Sequence, residues 1–200
     1  DELKKILKVE SLEKISKNKL SMDLMLMIFP ELKNIKIFSR LNSDDKNLLK
    51  EKDFIFLLSL MIIDDTDNTD YFLYKFNISK KDQKRIKNID IFYKEKINSK
   101  TFTKNSMNKV FYYQGKEAVL DILNYRKVKS KKEANLLKEL SNYYEDKEAP
   151  IMPINANLLM KRYEIPQGKQ LGEKLKVIEE EWVNNDFKIS DKEVDNIVNN

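Results

Sequence analysis

Apolar positions along this chain return every three or four residues, the period of an α-helix, almost from the first residue. Leu3, Ile6, Leu7, Leu12 and Ile15 form one stripe, and the apolar stretch SMDLMLMIFPE that follows reads as a helix ended by Pro30. Ser43 with Asp44 and Asp45 predicts a helix N-terminus, since a hydroxyl caps free amides and carboxylates meet the positive end of the dipole. From Phe54 to Ile63 the chain is apolar on every side, the pattern of a central buried helix. A polar loop, DDTDNTD, leads to FNISKKDQKRIKNIDIFYKEK, a helix capped by Ser79 with Ile86, Ile89 and Tyr93 inward and a densely basic outer face.

Ala118, Val119, Ile122 and Leu123 continue the helical spacing just after Gly115. Two Ser-x-x-Glu runs, Ser130 to Glu133 and Ser190 to Glu193, predict capping boxes that open further helices. No stretch alternates with period two, and there is neither an Asn-Gly hairpin nor a tandem repeat, so the expected fold is all-α, an elongated array of many helices. The best internal boundary is EDKEAPIMP, residues 145–153, which is charged and carries two prolines.

Two of the three glycines, Gly168 and Gly172, lie four apart behind Pro166. Pro166 disfavours helical geometry at Ile165, and beyond the turn Leu171, Leu175, Ile178 and Trp182 form one stripe of a helix. A helix opening on glycine leaves backbone N–H groups uncovered, which suits a phosphate or carboxylate. The other reading is a plain helix start in which Gly172 lets a second helix pack close, and the residues alone favour it.

Composition narrows the chemistry. The chain has 200 residues, 41% of them apolar, enough for one good-sized domain or two small ones. It has no cysteine and no histidine, which removes disulfides, thiolate catalysis, His-based triads and the usual zinc centres. The apolar runs LMLMIF and FIFLLSLMII are too short to span a bilayer and no signal-type start exists, so a cytoplasmic protein is expected. The chain opens inside a helical pattern without a methionine, as the later part of a larger protein would.

Net charge is +5 in a mixed background of 38 Lys+Arg and 33 Asp+Glu, but it is concentrated. Residues 79–100 carry eight Lys and Arg against Asp82, Asp90 and Glu95. Lys80, Lys81, Lys84, Arg85 and Lys87 share one helix there, and Arg126, Lys127, Lys129, Lys131 and Lys132 crowd one inter-helix loop. Such stretches serve either as a phosphate-binding surface or as a solvated lysine-rich face. Tyr112, Tyr113, Tyr143 and Tyr144 suit base stacking or the edges of a core. The acidic loop of Asp64, Asp65, Asp67 and Asp70 is the one carboxylate cluster dense enough to suggest a hard cation, but it follows a buried helix and has no glycine, so it reads as a solvated loop.

Together these stretches resemble the C-terminal region of bacterial tRNA nucleotidyltransferases, the CCA-adding enzymes, a superfamily that includes bacterial poly(A) polymerases. DELKKIL is similar to the end of the family's neck, MIFPEL to its hydrophobic-Phe-Pro-Glu turn and FNISKKDQKRI to an element of its body. The segment PIMPINANLLMKRYEIPQGKQLGEKLKVIEEEWVNNDF resembles its tail, with a proline-bounded segment, a Gly-x-x-Leu helix and a closing Trp-Val-x-x-x-Phe. NANLL lacks the family's Gly and Asp before its Leu, and PQG stands where the family has Pro-Gly-Pro.

The resemblance implies a neck end over residues 1–45, a helical body over 46–148 and a helical tail over 149–200. It implies a region that holds the acceptor stem and elbow of tRNA while an N-terminal head, matched by no motif here, binds Mg²⁺ and CTP or ATP and adds the nucleotides. No catalytic or metal-binding residue and no cofactor is then expected in this chain. With that role, the expected RNA-binding residues are Lys80, Lys81, Lys84, Arg85, Lys87, Arg126, Lys127, Lys129, Lys161, Arg162, Gly168 and Lys169, drawn from the basic stretches and the glycine turn. The equivalent region of a poly(A) polymerase and a stand-alone helical scaffold that binds protein are the alternatives.

Overall fold

The computed structural model describes residues 2–95 and 102–199, without the side chains of Glu2 and Glu95. Lys96 and Lys100, which add to the basic stretch, lie outside the described residues. Among the described residues every regular element is helical. In chain order they are α1 Glu2–Ile6, α2 Val9–Lys17, α3 Lys19–Ile28, a 3-10 helix Ile35–Arg40, α4 Ser43–Lys50, α5 Phe54–Ile62, α6 Asn68–Lys75, α7 Lys80–Glu95, α8 Lys104–Gln114, α9 Lys116–Lys129, α10 Ala134–Glu145, α11 Ala156–Tyr163, α12 Lys169–Asn184 and α13 Asp191–Asn199. Among the described residues they fall into two compact units that interleave along the chain, one of residues 2–95 and 120–143, the other of residues 102–119 and 144–199.

The first unit is built around α5, whose residues Phe56 to Ile62 are all buried, as an all-round apolar segment requires. The 3-10 helix, α6 and α7 pack on it, adding Ile35, Phe38, Phe72, Ile86 and Ile89 to the core. A buried helix must still satisfy its last carbonyls. Asn68 donates from its side-chain amide to the Ile62 carbonyl at 2.7 Å and to that of Glu31 at 2.8 Å. Asn34 donates to the Ile63 carbonyl at 2.6 Å, and the Tyr125 hydroxyl reaches the same oxygen at 3.4 Å.

The second unit gathers Leu159, Leu171, Ile178 and Val194 from α11, α12 and α13, with Ile165 from the connection between the first two. At its other end α8 packs on α12 through aromatic contacts. Trp182 lies edge-on to Tyr112 at 5.3 Å between ring centroids and to Phe187 at 5.1 Å, and Phe111 stands 5.3 Å from Tyr144. The closing Trp-Val-x-x-x-Phe is therefore a clasp: Asp186 and Phe187 take left-handed backbone angles, and the Phe187 amide donates back to the Trp182 carbonyl at 2.9 Å.

Several local expectations are corrected. The stripe from Leu3 to Ile15 is two helices, separated at Leu7 and Lys8. The N-cap of α4 is Asn42 rather than Ser43, in a reciprocal box with Asp45. Helix α6 begins inside the stretch read as a loop, because Phe72 and Leu73 give it a buried side. The Ser130–Glu133 box does not form: the Ser130 amide continues α9 by donating to the Arg126 carbonyl at 2.8 Å, and Glu133 is held by the Arg126 guanidinium. The second box does form, with Ser190 and Glu193 bonding each other's amides, and the Ser190 hydroxyl and then its amide, both donating to the Glu193 carboxylate, lower that carboxyl below its ordinary range. Gly172 lies under no neighbouring helix, since a Cβ there would meet nothing within 4 Å.

Candidate nucleic-acid interface

Helix α7 opens at Ser79, whose hydroxyl accepts from the Asp82 amide at 3.2 Å. Ile86 and Ile89 turn one face of the helix into the core, so Lys80, Lys81 and Lys84 stand exposed on the other. None of these three makes an ion pair with another described residue. Lys87 sits on the same side and meets Asp70 of α6 at 2.8 Å, a bond that lowers the Asp70 carboxyl. Both partners are open to water, so this pair is worth little and a phosphate competes with it readily.

Arg85 behaves differently. One residue beyond Lys84 is about 100° around the helix, and there the guanidinium turns inward: Nε and Nη2 reach the two oxygens of buried Asp121 at 2.5 and 3.2 Å, and Nη1 reaches Asp53 at 2.5 Å. Asp53 is itself the N-cap of α5, accepting from the Phe56 amide at 3.1 Å. Arg85 thus ties α7 to the start of α5 and to α9.

The basic end of α9 is also largely spoken for. Arg126 bonds Glu133 at 2.9 Å, Lys127 donates to the Ser141 hydroxyl at 2.7 Å, and Lys131 is paired with Asp45. Lys129 is half-buried over the Tyr125 ring, 5.4 Å from its centroid, and burial lowers its pKa from the ordinary lysine value. Lys132 is exposed.

In the second unit Lys161 is exposed, whereas Arg162 joins α11 to α13 by reaching Asp191 at 2.7 Å and Asp195 at 3.5 Å. Lys169 forms a surface pair with Glu173 at 3.6 Å. Gly168 is the N-cap of α12 at φ 159°, ψ −165°, a conformation that side chains with a Cβ rarely adopt, and it brings no side chain to cap the first amides. Three of the tyrosines named from sequence make side-chain bonds: Tyr112 donates to Glu179 at 2.7 Å, Tyr113, itself exposed, to the same carboxylate at 3.3 Å, and fully buried Tyr144 donates to Asn108 at 2.6 Å.

Two carboxylates of the acidic loop already have partners. Asp64 takes the Thr66 hydroxyl at 2.6 Å and the Lys33 ammonium at 2.9 Å, and those bonds outweigh burial to hold its carboxyl low. Asp70 faces Lys87, and among the described residues no three acidic side chains converge on one point.

Residues 47–194 match the family described as tRNA nucleotidyltransferase domain 2. The chain belongs to that family. Neither a curated protein nor a solved structure matches it. Within a tRNA nucleotidyltransferase domain, the exposed aromatics that the sequence reading passed over are Tyr71 and Tyr74 of α6, the latter 87% exposed one turn along from Asp70. Their signal was the buried pair Phe72 and Leu73 between them, which places the tyrosines on the outer side of a short helix. No helix of the described residues is long and apolar enough to cross a membrane.

Proposed function

We propose that this chain is the tRNA-holding helical part of a CCA-adding nucleotidyltransferase, and that the exposed half of α7 is its principal phosphate-binding face. The observation that carries this reading is the set Lys80, Lys81 and Lys84: three cations on one side of one helix, exposed and without an ion pair among the described residues. A-form RNA presents phosphates and 2′-hydroxyls rather than readable base edges, so a lysine face on a firm scaffold suffices to hold it. Lys87, Lys161, Lys169 and the amides that follow Gly168 are secondary contacts in this reading. Arg85, Arg126, Lys127 and Arg162 act instead by holding the helices that carry them.

The same reading puts the chemistry elsewhere. Mg²⁺ and CTP or ATP belong to an N-terminal head that works with this chain, and the chain by itself adds no nucleotide to tRNA. The test is binding of tRNA by the parent and by a Lys80→Gln, Lys81→Gln, Lys84→Gln variant over a range of salt. Each phosphate contact contributes about 0.7–0.9 to the slope of log K against log salt, so the variant is expected to lose about two units of slope. An unchanged slope removes α7 from the RNA surface. Incorporation of labelled CMP or AMP by the purified chain overturns the assignment of the chemistry to a separate head.

A further inference from the structure

A second basic feature of the first unit brings the 3-10 helix, which no charge run marks in the sequence, against the basic end of α9. The 3-10 helix and the end of α9 line a cleft of about 420 Å³ whose ionisable side chains are Lys33, Lys36, Arg40, Lys129 and Lys131 against the single carboxylate of Asp45. That carboxylate is fully engaged: one oxygen accepts the Lys131 ammonium and the other the Asn42 amide of the α4 cap, at 3.2 Å. Lys33 is likewise held, by Asp64 outside the cleft at 2.9 Å.

Lys36, Arg40 and Lys129 remain, and none has an ion pair among the described residues. Ile35 and Phe38 bury the inner side of the 3-10 helix, which leaves Lys36 and Arg40 exposed on its outer side. Lys129 is half-buried over the face of Tyr125, and Asp65 and Asp64 act on it through space without forming an ion pair. Like charges gathered at the wall of a cleft repel one another and focus a positive potential, a cost that a bound dianion reverses.

We propose that this cleft is a phosphate-binding site in which Lys36, Arg40 and Lys129 close on one phosphate group. Arginine supplies a planar fork matched to phosphate oxygens and the two lysines supply point charges, the combination that phosphate sites use. The phosphate comes either from the backbone of a bound RNA or from a free polyphosphate. Only the first source rests on the tRNA reading given above.

The experiment uses inorganic tripolyphosphate and tRNA as separate probes of the full chain, each titrated by calorimetry. Its variant is Lys36→Gln, Arg40→Gln, two exposed positions whose replacement leaves the core untouched; Lys129→Gln is made separately, with far-ultraviolet circular dichroism to confirm the fold. Each charge-assisted contact is worth about a factor of ten, so the double variant is expected to bind its phosphate source about tenfold or more weakly. Weakening confined to tRNA assigns the cleft to the RNA backbone, and weakening confined to tripolyphosphate assigns it to a free ligand. Unchanged binding of both probes overturns the proposal even where the α7 lysines govern tRNA affinity. Should the parent not bind tRNA at all, the tRNA reading falls, and the tripolyphosphate titration alone decides the cleft.

Discussion

The Arg85 guanidinium clamps the Asp121 carboxylate with two nitrogens, at 2.5 and 3.2 Å, joining the middle of α7 to α9. The side chains are only 16% and 4% exposed, so this is a partner removed from water rather than a surface pair. Burial opposes the charge on Arg85, but Asp121 and then Asp53 outweigh it and raise the guanidinium pKa further. Arg85→Gln leaves a buried carboxylate without its guanidinium and is expected to cost about 3 kcal/mol of stability. Urea unfolding checks the loss, and the salt slope of tRNA binding at a temperature where the variant stays folded is expected to match the parent's.

The two glycines of the tail are expected to respond with opposite signs. Gly172 has open space where a Cβ would stand, so Gly172→Ala gains helix propensity without a clash, up to about 1 kcal/mol. Gly168 holds a backbone conformation that strains any residue with a Cβ, so Gly168→Ala is expected to lose about 1 kcal/mol or more. Gly168→Asp carries the same strain, which offsets the benefit of a capping carboxylate. Thermal unfolding of the pair reads the signs directly.

Glu13 lies between Lys17 at 2.5 Å and Lys46 of α4 at 2.8 Å, and these two ammonium groups bring its carboxyl down to about 2 from the ordinary 4.5. A carboxyl whose folded pKa is depressed stabilises fully above its unfolded value, and that contribution is lost as pH falls through the folded one. The contribution of Glu13 is therefore expected to vanish between about pH 4.5 and 2. Nuclear magnetic resonance titration of the Glu13 side chain is expected to show the low midpoint, and Lys46→Gln to move it upward.

Tyr144→Phe removes a hydroxyl that donates to Asn108 Oδ1 at 2.6 Å inside the second unit while leaving the ring against Phe111. The buried Asn108 oxygen then lacks this donor, at an expected cost of about 1–2 kcal/mol. Chemical unfolding measures it. A loss no larger than that of an exposed substitution, within about 0.5 kcal/mol, contradicts the role given to this bond.

By itself the sequence determined the helical class, the buried course of α5, the start of α7 at Ser79 and the capping box at Ser190, because period, apolar runs and caps are local and are decided within a few residues. It also held enough of the family's pattern for membership to be read from the body and tail together. It did not show which cations stay free. Lys84 and Arg85 are neighbours of like charge, and only the position of Asp121, thirty-six residues further on, draws one of them inward. Nor did it show that residues 102–119 pack with the tail segment, or that Lys36, Arg40 and Lys129 share a cleft. Those relations depend on which distant carboxylates and apolar faces are brought near, and side chains far apart in sequence have no common period through which a linear reading connects them.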